Sequence, residues 1–207
     1  MQFRVNWVGL AGGAATILVV AVSLFYPWWQ LTIGRDLVTA NASPLNTNFD
    51  VFGTSFTLPL LWAMNVASVL TFLLSGVTMI IYSLVPAKSY SKTLLAFAYK
   101  KPLYTLVAFV VFIFASTLIV PSLLGFSVPL AGSTNSAFPI PLMQGTTMSV
   151  FISAGFQLPF WLAIVAAGLC VAAKLCHTRV VAVREQDVTL MVAPQIAPLM
   201  THAKKEQ

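Results

Sequence analysis

The chain has few ionisable side chains and little of the chemistry that catalysis requires. Only 8% of its 207 residues are Asp, Glu, Lys or Arg, and it contains two histidines and two cysteines. Proton relays, ion pathways and gating charges place ionisable groups inside a membrane domain. The long apolar runs of this sequence hold such groups only near one end, which argues against a catalytic or transport centre within them.

The known site motifs are also missing. Both histidines, His177 and His202, follow the last apolar run, so the chain alone cannot place two haem ligands inside a bilayer. Cys170 and Cys176 are six residues apart on one predicted helix, a rise of about 9 Å, which exceeds the limit of about 7 Å for a disulfide. No phosphate loop, nucleophile elbow or zinc-protease motif is present. The sequence predicts no catalytic, cofactor-binding or metal-binding residue.

Apolar residues dominate what is present, and the mean hydropathy is +0.89. A bilayer core about 30 Å thick requires about 20 apolar residues in a helix, and four runs are long enough to cross it. They cover residues 8–26, 58–84, 103–124 and 158–175. The sequence predicts an all-α membrane protein in which a four-transmembrane-helix bundle, residues 1–176, is followed by a cytoplasmic tail, residues 177–207.

The basic residues predict the orientation. All 11 Lys and Arg residues except Arg35 fall in segments that would share one side of the membrane. The positive-inside rule then places both termini in the cytoplasm and the loops 27–57 and 125–157 outside. We expect a multi-pass protein of the cell membrane that contacts the lipid bilayer and binds no nucleic acid. The ending Lys204-Lys205 resembles a dilysine retrieval signal and leaves the endoplasmic reticulum as the alternative.

The two halves of the chain contain a weak repeat. The element Phe56-Thr57-Leu58-Pro59 precedes the second run, and Phe156-Gln157-Leu158-Pro159 precedes the fourth. Proline in the first turn of a helix gives up an N–H that has no partner there, so both prolines mark helix starts. We predict two helical hairpins of the same orientation.

The outer loops are long and carry few charges. Short β-prone runs such as residues 29–33 are broken by Gly34 and Gly53, and loops of this length are usually functional or disordered. These loops are too apolar for disorder, so the sequence predicts a small extracellular cap of loops and short strands, packed on itself or on a partner. Asn41 begins an Asn-Ala-Ser sequence and is a possible glycosylation site.

Small residues mark the expected helix contacts. Gly9 and Gly13 share a face of the first span, and Ala163 and Ala167 share a face of the fourth. Small side chains allow helix backbones to approach closely in a membrane. These four residues are the predicted helix-packing sites, within the bundle or against another subunit.

The predicted tail alternates apolar and polar residues on both sides of the polar turn 184–187. This pattern is typical of two short strands. Such a tail is expected to be disordered on an isolated bundle, and we expect another membrane subunit to hold it.

The topology resembles that of the claudin-like proteins. That family has four spans, both ends inside and tryptophan in a β-rich first outer loop, a position similar to that of Trp28 and Trp29. The paired loop cysteines and the Gly-Leu-Trp element of the family are absent here. The resemblance extends to topology only.

These observations lead to one functional hypothesis and two alternatives. The leading hypothesis is a non-catalytic accessory or structural subunit of a larger membrane complex, for instance a respiratory or oxygenase complex, that packs beside a catalytic subunit. The first alternative is a stand-alone claudin-like adhesion or envelope protein. A small carrier or channel is the second, supported by the weakly polar face that Asn65, Ser68 and Thr71 form on the second span.

Overall fold

The computed structural model describes residues 5–34, 37–86, 90–124, 127–139 and 147–177. The helices in this part of the chain are α1 (Trp7–Ser23), α2 (Pro59–Leu84), α3 (Ser91–Leu124) and α4 (Leu158–His177). The strands are β1 (Trp29–Ile33), β2 (Val38–Ala42), β3 (Asn48–Val51), β4 (Thr54–Phe56), β5 (Gly132–Pro139) and β6 (Thr147–Phe156). The predicted tail beyond residue 177 lies outside the described residues.

The two long loops, between α1 and α2 and between α3 and α4, form one six-stranded antiparallel sheet in the order β4-β3-β2-β1-β6-β5. The first loop supplies β1 to β4 and the second supplies β5 and β6. Pairing of β1 with β6 joins them, with Trp29 opposite Phe156 and Ile33 opposite Ile152. The predicted all-α class is therefore wrong in part, because the cap is a continuous sheet. Isolated short strands cannot satisfy their backbone groups, and pairing between the loops satisfies them.

Three of the helices in the described part, α2, α3 and α4, are long and apolar enough to cross a membrane. The sequence predicted four such helices, and the difference lies in α1, which has 17 residues and a length of about 26 Å. The apolar run in the sequence extends to Tyr26, but the helix ends at Ser23. The last three residues of that run form an exposed turn that leads into the sheet.

The start of α3 also differs from the prediction. The lysines near residue 100 indicated a loop up to residue 102, whereas the helix begins at Ser91 and includes Lys100, Lys101 and Pro102. The hydroxyl of Ser91 donates a hydrogen bond to the carbonyl oxygen of Val85 at 2.6 Å, which closes the short link from α2. The basic residues are therefore part of a helix.

The helices pack around two apolar clusters. The cluster next to the sheet includes Trp28, Phe72, Phe109 and Phe160, and the cluster at the opposite end is centred on Met79. All four helix ends that lead into strands lie at the same end of the bundle. The sheet therefore covers one end of the bundle, and we call this the sheet end.

Candidate partner-binding surface

Trp28 fixes the sheet to the bundle. Its side chain is fully buried, and its indole nitrogen donates a hydrogen bond to the Ser23 hydroxyl of α1 at 2.9 Å. Its ring meets Phe72 of α2, Phe109 of α3 and Phe160 of α4 edge to face, with centroid distances of 6.3, 5.2 and 6.3 Å. This geometry is the favoured one for aromatic pairs. Trp28, which immediately precedes β1, thus contacts all four described helices.

Two further contacts hold the sheet in place. The indole nitrogen of Trp29 donates to the carbonyl oxygen of Leu130 at 2.8 Å, which connects the two outer loops. The side-chain amide of Asn65 on α2 bonds both backbone groups of Thr47, at 3.2 and 3.1 Å. The sheet is therefore tied to the helices by Trp28 and by Asn65, at the strand ends next to the bundle.

The opposite edge of the sheet carries exposed apolar side chains. Leu37 and Phe151 are each 47% exposed and Phe52 is 77% exposed, and we call these three residues the distal rim. Backbone hydrogen bonds of 2.8 Å connect Phe52 to Leu37, and Phe151 to Gly34. The distal rim is therefore built on paired backbone. Leu37 and Phe52 lie in turns at the strand ends away from the bundle, and Phe151 lies within β6 beside Gly34.

Phe52 occupies an unfavourable backbone conformation at the tip of the β3–β4 hairpin. Its φ is 52°, followed by 78° at Gly53, between the paired residues Val51 and Thr54. A two-residue turn with positive φ at both positions favours Asn, Asp or Gly at the first, and a side chain with a Cβ in the left-handed region costs about 1–2 kcal/mol. Burial does not compensate for that cost, because most of the ring is exposed. Strain of this kind clusters at binding and active sites.

The opposite end of the bundle contains a polar network that sequence reasoning missed. The Asn6 amide nitrogen donates to the Tyr82 hydroxyl at 3.2 Å and to the Ala173 carbonyl oxygen at 3.3 Å. The Tyr82 hydroxyl lies 2.9 Å from Nδ1 of His177. Asn6 also caps α1 by accepting from the N–H of Gly9. An Asn ahead of an apolar run is a helix-cap signal, which could have identified this residue.

The predicted packing residues lie inside the bundle. A Cβ added at Gly13 would lie 2.8 Å from the carbonyl oxygen of Gly76, and one added at Gly9 would meet the Ser83 hydroxyl, so α1 approaches α2 closely at both. Ala163 and Ala167 on α4 are buried. Their role in assembly with another subunit stays a prediction. Gly76 is the partner that sequence reasoning missed, and its signal was that it is the single glycine of that span.

Asn41 lies within β2, between β1 and β3. Its amide nitrogen donates to Oδ1 of Asn48 at 2.8 Å, while its own Oδ1 is buried without a partner in the described part of the chain. Glycosylation acceptors are usually found in surface loops. Modification of this residue stays a prediction.

The described residues include no group of three or more His, Cys, Asp or Glu side chains that could hold a metal ion. No family model matches the chain, and no curated protein is significantly similar to it. The anchored sheet and its distal rim are therefore the features from which a function can be argued.

Proposed function

We propose that this protein is a non-catalytic membrane protein that serves as an accessory subunit of a larger membrane complex and contacts its partner through the distal rim. The observation that carries the proposal is Phe52, a strained and exposed aromatic residue at a hairpin tip. Phe, Tyr and Trp side chains bury a large apolar area and contribute strongly to the energetics of interfaces. A partner that buries this ring offers the compensation that the chain itself does not supply.

Exposed hydroxyl groups on α3 support membrane insertion. Ser116, Thr117 and Ser122 each donate to a carbonyl oxygen of the preceding turn, at 2.8, 2.8 and 2.7 Å. In a lipid environment no water is available, so polar groups must be satisfied within the protein. The hydroxyls thus suit a helix that faces lipid.

The proposed topology has four spans, with the sheet outside and both termini in the cytoplasm. Lys92 and Lys174 lie near the ends of α3 and α4 away from the sheet, as the positive-inside rule requires. As the fourth span, α1 is short by a few ångströms, and a bilayer adapts to such a mismatch at modest cost. The cell membrane is the proposed location.

The anchored sheet suits a stoichiometric partner. Because Trp28 contacts all four helices, the distal rim has a defined position relative to the membrane. A preorganised surface loses less conformational entropy on binding. We therefore favour a partner subunit that shares the membrane and has an outer domain reaching the rim.

A claudin-like adhesion protein is the second candidate, and one observation favours it. The distal rim lies on the side of the sheet away from the helices, where a protein on an opposing membrane could reach it. The two candidates differ in whether the partner is extracted together with the chain from one membrane.

The test compares Phe52→Asp with Tyr90→Asp in the full-length chain. Both residues are exposed aromatics, but Tyr90 lies in the link between α2 and α3, at the end away from the sheet. After mild-detergent extraction, native electrophoresis with mass spectrometry should find partner chains in fixed ratio with the wild type. Phe52→Asp should lower their recovery at least about tenfold, while folding is retained because Asp-Gly suits this turn.

Unchanged recovery with Phe52→Asp would overturn the role of the distal rim. The adhesion alternative predicts that the wild-type protein is extracted without a fixed partner, and that vesicles containing it cluster in a manner lost in Phe52→Asp. Tyr90→Asp should behave as wild type in both assays.

A further inference from the structure

Two adjoining cavities form a groove between α2 and α3. The first, of about 370 Å³, lies beneath the sheet, and the second, of about 420 Å³, continues towards the opposite end of the bundle. Ser68, Thr105 and Ala108 line both cavities and so make them continuous. Volumes in this range are typical of ligand sites.

The part of the groove beneath the sheet is lined mainly by apolar side chains. Its walls include Met64, Phe109 and Phe112. The most polar side chain there, Asn65, uses both its oxygen and its nitrogen on the backbone of Thr47. This end therefore presents hydrocarbon to an occupant.

The other end of the groove is cationic. It is lined by Lys101 and Tyr104, and the Lys101 ammonium lies 5.8 Å from the centroid of the Phe97 ring. Asp50 is the one carboxylate among the residues that the structure describes, and it lies on β3, where it accepts a hydrogen bond from Ser55. The protein supplies no described counter-ion to Lys101.

The position of Lys101 deep in the groove carries a free-energy cost in a membrane. Lys101 and Thr71 line the same cavity, and Thr71 is near the middle of α2, about 20 Å along the helix from Leu84. An ionised group at such depth in a membrane is costly unless it is paired or reaches the headgroup region. The Lys101 ammonium lies over the ring of Phe97, one turn further from the sheet, so it extends towards the headgroup region, where a lipid phosphate can supply the pairing.

We propose that the groove between α2 and α3 binds an anionic membrane phospholipid. Its phosphate pairs with Lys101, and one acyl chain follows α3 towards Phe112, a distance of about 16 Å along the helix. An occupant with a charged head and a hydrocarbon chain matches both ends of the groove. This inference rests on the membrane placement proposed above and is independent of a partner subunit.

The test measures lipid retention by the purified full-length protein, using native mass spectrometry with phosphatidylglycerol and phosphatidylcholine of identical chains. The wild type should retain phosphatidylglycerol about fivefold better, since one lysine contributes about that factor to anionic-lipid binding. Lys101→Gln should abolish the preference. Lys100→Gln is the matched control, because the adjacent lysine does not line the groove.

A second pair of variants tests the acyl-chain portion. Ala108 lines both cavities, so Ala108→Phe should occupy part of the groove and lower the retention of both lipids. Val111 lines neither cavity, so Val111→Phe should leave retention unchanged. Glycerol phosphate, which has the headgroup chemistry without the chain, should fail to displace the bound lipid.

An unchanged preference in Lys101→Gln, unchanged retention in Ala108→Phe, or displacement by glycerol phosphate would each overturn the inference. Phe52→Asp should leave lipid retention unaltered. The two proposals are separated if Phe52→Asp loses partner recovery and keeps normal lipid retention. They are also separated if Lys101→Gln loses the lipid preference and keeps normal partner recovery.

Discussion

Helices α3 and α4 are both apolar enough to cross a membrane but differ in packing. Within the most apolar stretch of each helix, 39% of the α4 residues are buried inside the protein, compared with 11% of the α3 residues. The inward face of α4 consists of small residues such as Ala163 and Ala167, whereas Val111 and Phe112 of α3 are exposed. Hydropathy thus indicates which segments suit a membrane, and side-chain size indicates which of them pack closely.

The largest effect should come from truncating the aromatic cluster on α4. Phe160 is buried against Trp28 and stacks on Phe156 at 4.4 Å, so Phe160→Ala should lower the free energy of unfolding by about 3–5 kcal/mol. Phe112→Ala makes the same change on α3, at a residue that is 61% exposed, and should have little effect. Denaturant titration in detergent micelles measures both. Equal losses would remove the distinction between the helices.

Enlarging the small-residue face should have an intermediate effect. Ala167→Leu inserts three carbon atoms at a buried position of α4, and overpacking of this kind costs about 1–3 kcal/mol. Val165→Leu, on the exposed face of the same helix, should leave stability and the yield of folded protein unchanged. The same titration compares them, and tolerance of Ala167→Leu would show that the face is not closely packed.

The smallest effect concerns the polar network at the end away from the sheet. Tyr82→Phe removes the hydroxyl that bonds Asn6 and His177 and should cost about 1 kcal/mol. Tyr90→Phe removes the hydroxyl of an exposed tyrosine and serves as the control. If the two variants unfold at the same denaturant concentration, the Tyr82 hydroxyl contributes nothing to stability.

The sequence predicted the helices better than it predicted the sheet. Apolar length and helix-start prolines are local signals, and α2 and α4 begin at Pro59 and Leu158, close to expectation. Pairing of β1 with β6 joins segments more than 100 residues apart in sequence, and no local pattern specifies which strands will meet. The predicted cap of loops and short strands is therefore a continuous six-stranded sheet, which the sequence did not specify.

The candidate site was only partly visible in the sequence. Trp28 follows a predicted span directly, but nothing local in the sequence indicates that three phenylalanines on three different helices surround and bury it. Gly53 signalled the hairpin turn, whereas the strain at Phe52 depends on the pairing of Val51 with Thr54. Such features require the register of the folded chain.

The orientation of the sheet is the central claim, because both the partner surface and the lipid groove depend on it. Single cysteines placed by Ser133→Cys, at an exposed residue of β5 outside the distal rim, and by Tyr90→Cys, in a chain with Cys170→Ala and Cys176→Ser, can be labelled with a membrane-impermeant maleimide in intact cells. We predict labelling at position 133 without permeabilisation and at position 90 only after it. Labelling at position 90 in intact cells, with position 133 protected, would contradict the account.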